Sequence, residues 1–358
     1  MRKARHPTPV PTPPSLAQAL DRRVEDLRGL VRQALRTWDV DAVHQARVTT
    51  RRLKAAVDLL RPLLPDAPAQ DFSRALRKLR RTLGPLRDLD VMLQHLADMK
   101  VPAGCGAASE WVARRLEERR AGLRRKAARK LTPRKALARL GAWVDLEHEV
   151  QDAQAAAGPL LARVAPAQVR AFAARADHHA ARKAPSDDAP DDVHELRVAG
   201  KLLRYTLELA EPLGHKVPRS VAKEFKSLQD ALGLWHDYVV LAEQMLALAV
   251  EDGLAARRPD LFGQVLQLAR VCWQRGERHL EKFRALWQQL GTDLADRAAG
   301  AFDPAATTPA PTEPDDPPGP NGQAETSGTS PAGSIPPLPR TQGRGPILSG
   351  PEEMRVPE

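Results

Sequence analysis

One segment of this chain occurs twice. DAVHQARVTTRRLKAAVDLLRPLL at residues 41–64 aligns without a gap on DDVHELRVAGKLLRYTLELAEPLG at 191–214, with nine of 24 positions identical. The charge-bearing positions correspond: His44 with His194, Arg47 with Arg197, Arg51 with Lys201 and Lys54 with Arg204. A second stretch follows, in which Leu79, Leu83, Gly84, Asp88 and Val91 answer to Leu228, Leu232, Gly233, Asp237 and Val240. A long period that occurs twice is a duplication and not a solenoid. The chain is therefore expected to form two similar units, about 15–157 and 160–300, each of ordinary domain length.

Those units read as helical. Ala, Leu and Arg dominate, which favours helix, and aromatics are only 4%. Apolar residues recur at helical spacing over roughly 15–36, 42–61, 69–83, 87–99, 107–130, 134–156, 160–183, 192–211, 218–232, 235–252 and 263–296. The expected fold class is all-α: an internally duplicated pair of helical bundles. Asp41, Asp191 and Asp192 suit N-cap positions, where a carboxylate accepts backbone N–H bonds. Ala184–Asp192 reads as an acidic loop. Residues 1–14 read as a flexible lead-in, and 301–358 as a disordered tail, with 14 prolines from 303 onward. The tail's Pro336-Pro337-Leu338-Pro339 run is a possible ligand for a proline-reading domain, against the plainer reading of a solvated tail, and no tail partner is legible.

Charge narrows the partners. The formal charge is +10, but residues 301–358 carry eight Asp/Glu and three Arg, which leaves residues 1–300 at +15. So basic a folded region concentrates polyanions around itself. Cys105 and Cys272 are the only cysteines and have no metal-ligand or disulfide-framework spacing. A reduced, cytoplasmic setting is expected, since the N-terminus lacks a signal-peptide pattern and no uncharged apolar run reaches about 18 residues.

The duplicated helix carries its cations in a row. At about 100° per residue, His44, Arg47, Arg51 and Lys54 share one stripe, and Ala46, Leu53, Val57, Leu60 and Leu64 lie opposite. His194, Arg197, Lys201 and Arg204 repeat the pattern. On the following helix Arg74, Arg77, Lys78 and Arg81 lie opposite Phe72, Leu76, Leu79 and Leu83; the copy keeps Lys223 and Lys226 but has Ser227 and Asp230 in place of Lys78 and Arg81. The second copy should therefore bind anions more weakly. Like charges one turn apart destabilise a helix unless something compensates, and guanidinium forks match phosphate oxygens. If Asp41 is the cap, His44 falls near the N-terminal amides, which favour an anion. Residues 111–140 hold 12 Lys/Arg against Glu117 and Glu118, and Arg275, Arg278, His279, Lys282 and Arg284 make a thinner basic run.

The repeated VHxxRV-x-x-(R/K)-x-L-(K/R) segment, followed by LGxxRDxDV in the first half and LGxxxDxxV in the second, resembles the CHAD (conserved histidine α-helical domain) family. The resemblance covers about residues 15–300. It implies two four-helix bundles related by a pseudo-two-fold axis, and binding of inorganic polyphosphate by basic side chains at polyphosphate granules. The family's histidine maps to His44 and His194. Its basic partners map to Arg47, Arg51, Lys54, Arg197, Lys201 and Arg204, and its next basic helix to Arg74, Arg77, Lys223 and Lys226. The second copy departs from the first at Asp230 for Arg81 and His236 for Arg87. The triphosphatase domain of some relatives is not expected, since no ExExK sequence is present.

The expected function is thus non-enzymatic polyphosphate binding, with no cofactor and no metal. Nucleic acid ranks second as a partner, because the chain has few aromatics for stacking and no recognised reading motif. A histidine phosphoacceptor ranks third, because the repeat supplies no base or orienting group for it. Membrane attachment is not expected, because the apolar faces are needed for the bundles.

Overall fold

The computed structural model describes residues 15–181 and 190–303. The N-terminal lead-in, most of the acidic loop and the tail lie outside the described residues, as does the side chain of Asp191. The first half runs through α1 (Leu16–Thr37), α2 (Val40–Leu60), α3 (Asp66–Asp98), α4 (Gly106–Lys130), α5 (Pro133–Leu140) and α6 (Val144–Asp152). The second half comprises α7 (Gln154–Ala180), α8 (Pro190–Leu207), α9 (Arg219–Glu251), the single turn α10 (Leu254–Arg257) and α11 (Pro259–Gly300). No strand occurs among the described residues, and no described helix is long and apolar enough to cross a membrane.

Local chemistry sets the first helices. Ser15 and Gln18 form a reciprocal capping box that starts α1. Leu16, Leu20, Val24, Leu27 and Val31 then recur every three to four residues and are fully buried. α1 ends at Trp38, which takes a left-handed backbone at φ 58°. Asp39 then caps α2 by accepting from the Ala42 N–H at 2.8 Å. Asp41 therefore lies inside the first turn of α2, and His44 is the fifth helical residue, too far in for the free N-terminal amides to face it. α8 begins at Pro190, so Asp192 is likewise inside a helix and not a cap.

Two expected breaks are absent. α3 continues through Gly84-Pro85 and α9 through Gly233, each for 33 residues or about 50 Å of helix. An internal proline costs helix stability, but Leu86, Leu89, Met92 and Leu96 keep the helical stripe buried beyond it. Tertiary burial overrides the local breaker. The expected single helix over 134–156 is instead interrupted after Leu140 by a 3-10 turn, Gly141–Trp143, which buries Trp143 against Phe72.

The length of α3 and α9 divides the described residues among three apolar cores. One joins α1, α2, the front of α3, α5, α6 and the start of α7. Another joins the end of α7 with α8, the front of α9 and the back of α11. The third lies between them, where the C-terminal halves of α3 and α9 pack with the front portions of α4 and α11. The two halves are thus fused through a shared bundle. α2 also packs against α8, bringing the two copies of the repeated helix together.

Candidate functional site

The predicted cations divide into two groups, one inside the molecule and one on its surface. Arg47, Arg51 and Arg197 are 2%, 3% and 3% exposed. They do not form an outward row, because the face of α2 away from its own core is covered at the junction with α3 and α8. Arg47 donates to the carbonyl of Arg80 at 3.3 Å and pairs with Asp88 at 3.5 Å. Its guanidinium crosses α3 at Gly84, where an added Cβ would come within 2.4 Å of Nη1. An added methyl group would push the Arg47 guanidinium aside, against its hydrogen bond to Arg80 and its pairing with Asp88.

Around Asp88 the two halves share their charges. Arg47, Arg51 and Lys201 all act on Asp88, and Asp237, its counterpart in the second half, lies close enough to oppose its ionisation. Burial is the larger influence and raises the Asp88 pKa. Burial also lowers that of Arg87, against the pull of Asp90, Asp237, Asp41 and Asp88. Asp237 in turn meets His95 at 3.5 Å, and Arg52 of α2 pairs with Glu208 of the second half at 2.7 Å. Charges held this way define register between the halves, and removing one partner would strand the other in low dielectric.

The motif histidines flank this hub. His44 is half-buried, and burial together with Arg87, Arg47 and Arg51 lowers its pKa to about 4. His194 lies 5.7 Å from the ring of His236, the residue that replaces Arg87 in the second copy. A consequence for stability follows. His44 stays neutral when folded but protonates near pH 6.5 when unfolded, so between those values the unfolded state binds more protons. Stability should therefore fall on the order of 2 kcal/mol as pH drops from about 6.5 to 4, discounted for partial exposure. His44→Gln should flatten that part of a denaturation-against-pH profile.

The second group is exposed. Arg74, Arg77, Lys78 and Arg81 of α3 face Lys126 and Lys130 of α4 across a groove of about 640 Å³. Thr82, Pro85, Leu123 and Ala127 complete its lining, which includes no carboxylate. A smaller depression of about 400 Å³ adjoins it through Arg74 and Arg77, and adds Lys54 and Arg61 together with Asp58. Lys54 is held by Asp58 at 2.5 Å and Arg74 by Asp71 at 2.7 Å, so Arg77, Lys78, Arg81, Lys126 and Lys130 give the groove its charge. Lys126 and Lys130 were hidden among the 12 cations of residues 111–140, because sequence alone does not say which side of α4 meets α3.

The equivalent surface of the second half is far less positive. Lys226 is bonded to Asp230 at 2.9 Å and Arg204 to Glu208 at 3.2 Å. Arg297 of α11 is held by Glu224 at 2.5 Å and Asp293 at 2.6 Å, and Lys223 is exposed. The substitution of Asp230 for Arg81 thus coincides with local neutralisation.

The fold and site together define a duplicated all-α protein with a buried ionic hub and a strongly cationic groove. The chain belongs to the CHAD family: the model described as the CHAD domain matches residues 18–246. Two uncharacterised proteins of Mycobacterium tuberculosis, from strains CDC 1551 / Oshkosh and H37Rv, are each 29% identical over 289 residues, covering 76% of this chain and 54% of theirs. This chain therefore spans about half the length of those relatives. The crystal structure of the CHAD domain from the plant Ricinus communis matches with a TM-score of 0.51 and 23% identity, over 83% of this chain and 94% of that one, a likeness of fold.

Proposed function

We propose that this chain binds inorganic polyphosphate in the α3–α4 groove, without chemistry on the polymer, and that this binding associates it with polyphosphate granules in the cytoplasm. The observation that carries the reading is the convergence of six Lys/Arg side chains on one groove with no carboxylate in its lining. Membership of a family related to polyphosphate supports it. Arg77 and Arg81, one turn apart on α3, present guanidinium forks along one line, and Lys126 and Lys130 repeat that spacing on α4. A linear polyanion lying between the helices meets both rows. The asymmetry between halves makes the first half the main binding surface.

The binding should be salt-dependent, because each neutralised phosphate releases counterions. Competition tests the reading against nucleic acid. Labelled long-chain polyphosphate bound to the protein should resist displacement by excess duplex DNA and yield to unlabelled polyphosphate. Displacement by DNA at equal phosphate concentration would assign the groove to nucleic acid, and absence of any retained polyphosphate at low salt would refute the proposal.

A further inference from the structure

The groove offers more than charge. Its lining also includes Pro85, Leu123 and Ala127, apolar groups for which a phosphate polymer has no matching surface. A peptide that alternates carboxylates with proline rings would match both features. This chain carries one: residues 309–318 read PAPTEPDDPP, placing Glu313, Asp315 and Asp316 among five prolines. No Lys or Arg occurs from Pro304 to Pro339, so the whole approach to that segment is free of positive charge.

The tether can span a bundle of this size. Phe302 is buried beside His215 and belongs to the first core, as do Leu79 and Leu83 of α3 and Ala127, which lines the groove. The chain therefore leaves the described structure from the same bundle that carries the groove. From Asp303, the ten to thirteen residues to Glu313 and Asp316 span at most about 35–45 Å. A bundle of this size has a radius of gyration of about 15 Å. Tethering supplies an effective concentration in the millimolar range, so weak pairwise contacts suffice.

We propose that segment 309–318 of this chain docks in the α3–α4 groove and competes there with polyphosphate. The inference rests on the groove being the polyanion site. The docked segment must leave before any polyanion enters, so it weakens the apparent affinity of the groove for short and long anions by the same factor. A long chain with many contacts still binds at concentrations where a short anion no longer does.

The test uses the full chain. Zero-length carbodiimide coupling should join Lys126 or Lys130 to Glu313, Asp315 or Asp316, and long-chain polyphosphate should suppress that product. The full-length triple variant Glu313→Gln, Asp315→Asn and Asp316→Asn should bind tripolyphosphate about tenfold more tightly at low salt. Its affinity for long-chain polyphosphate should rise by a similar factor, because the same competitor has been removed. Equal tripolyphosphate affinity in both chains, with no cross-link to the groove lysines, would overturn the docking. So would a gain that persists when Arg77→Ala and Lys126→Ala are added, since the segment would then act elsewhere. Absence of polyphosphate binding alongside an intact cross-link would instead refute the function proposed for the groove and leave the docking standing.

Discussion

Arg47→Ala should destabilise the protein by about 3 kcal/mol, measured from denaturant midpoints, while folded molecules keep their affinity for polyphosphate. Arg47 is buried between α2 and α3, donates to the Arg80 carbonyl and pairs with Asp88. Truncation would leave Asp88 buried beside Asp237 with one cation fewer, and would open space over Gly84. Adding Asp88→Asn should recover part of the loss, because the stranded charge is then removed. A variant of unchanged stability that no longer binds polyphosphate would show that Arg47 serves the ligand directly. The same reasoning extends to Arg51 and Arg197, which are equally buried.

The triple variant Arg77→Ala, Arg81→Ala and Lys126→Ala should have the opposite profile. All three side chains are exposed, so unfolding midpoints should move by less than about 1 kcal/mol. Affinity for polyphosphate at low salt should fall about a hundredfold, from roughly 1 kcal/mol for each lost contact. The slope of log affinity against log salt should shrink by about two to three, as fewer counterions are released. The matched change on the second half, Lys223→Ala with Lys226→Ala, should have a much smaller effect, since Lys226 is already bonded to Asp230. Equal losses from the two sets would mean that both halves bind alike and that the neutralising carboxylates do not matter.

Much of this was legible in the chain itself. The duplication follows from the repeated motifs and the all-α class from apolar periodicity, because both are local properties of sequence, and the family was met as a resemblance carried by VHxxRV and LGxxxD. The loss of positive charge on the second copy was visible as Asp230 in the position of Arg81. Local rules misplaced the caps and the breaks. Asp39 was preferred to Asp41 because Trp38 turns the chain and α2 starts two residues earlier than the hydrophobic pattern suggests. Gly84-Pro85 failed to end α3 because a continued apolar stripe, buried in the shared core, outweighs the cost of one proline.

The sequence alone determined that this chain would place matching cations at matching points of two helical units. It could not determine which of those cations water would reach. That depended on α8 covering the outer face of α2, so that Arg47, Arg51 and Arg197 were desolvated and bound into a hub, and on α4 settling beside α3, so that Lys126 and Lys130 completed a groove. A helical wheel orients a side chain about its own axis only; whether it meets solvent or another helix is fixed by contacts between residues far apart in the chain.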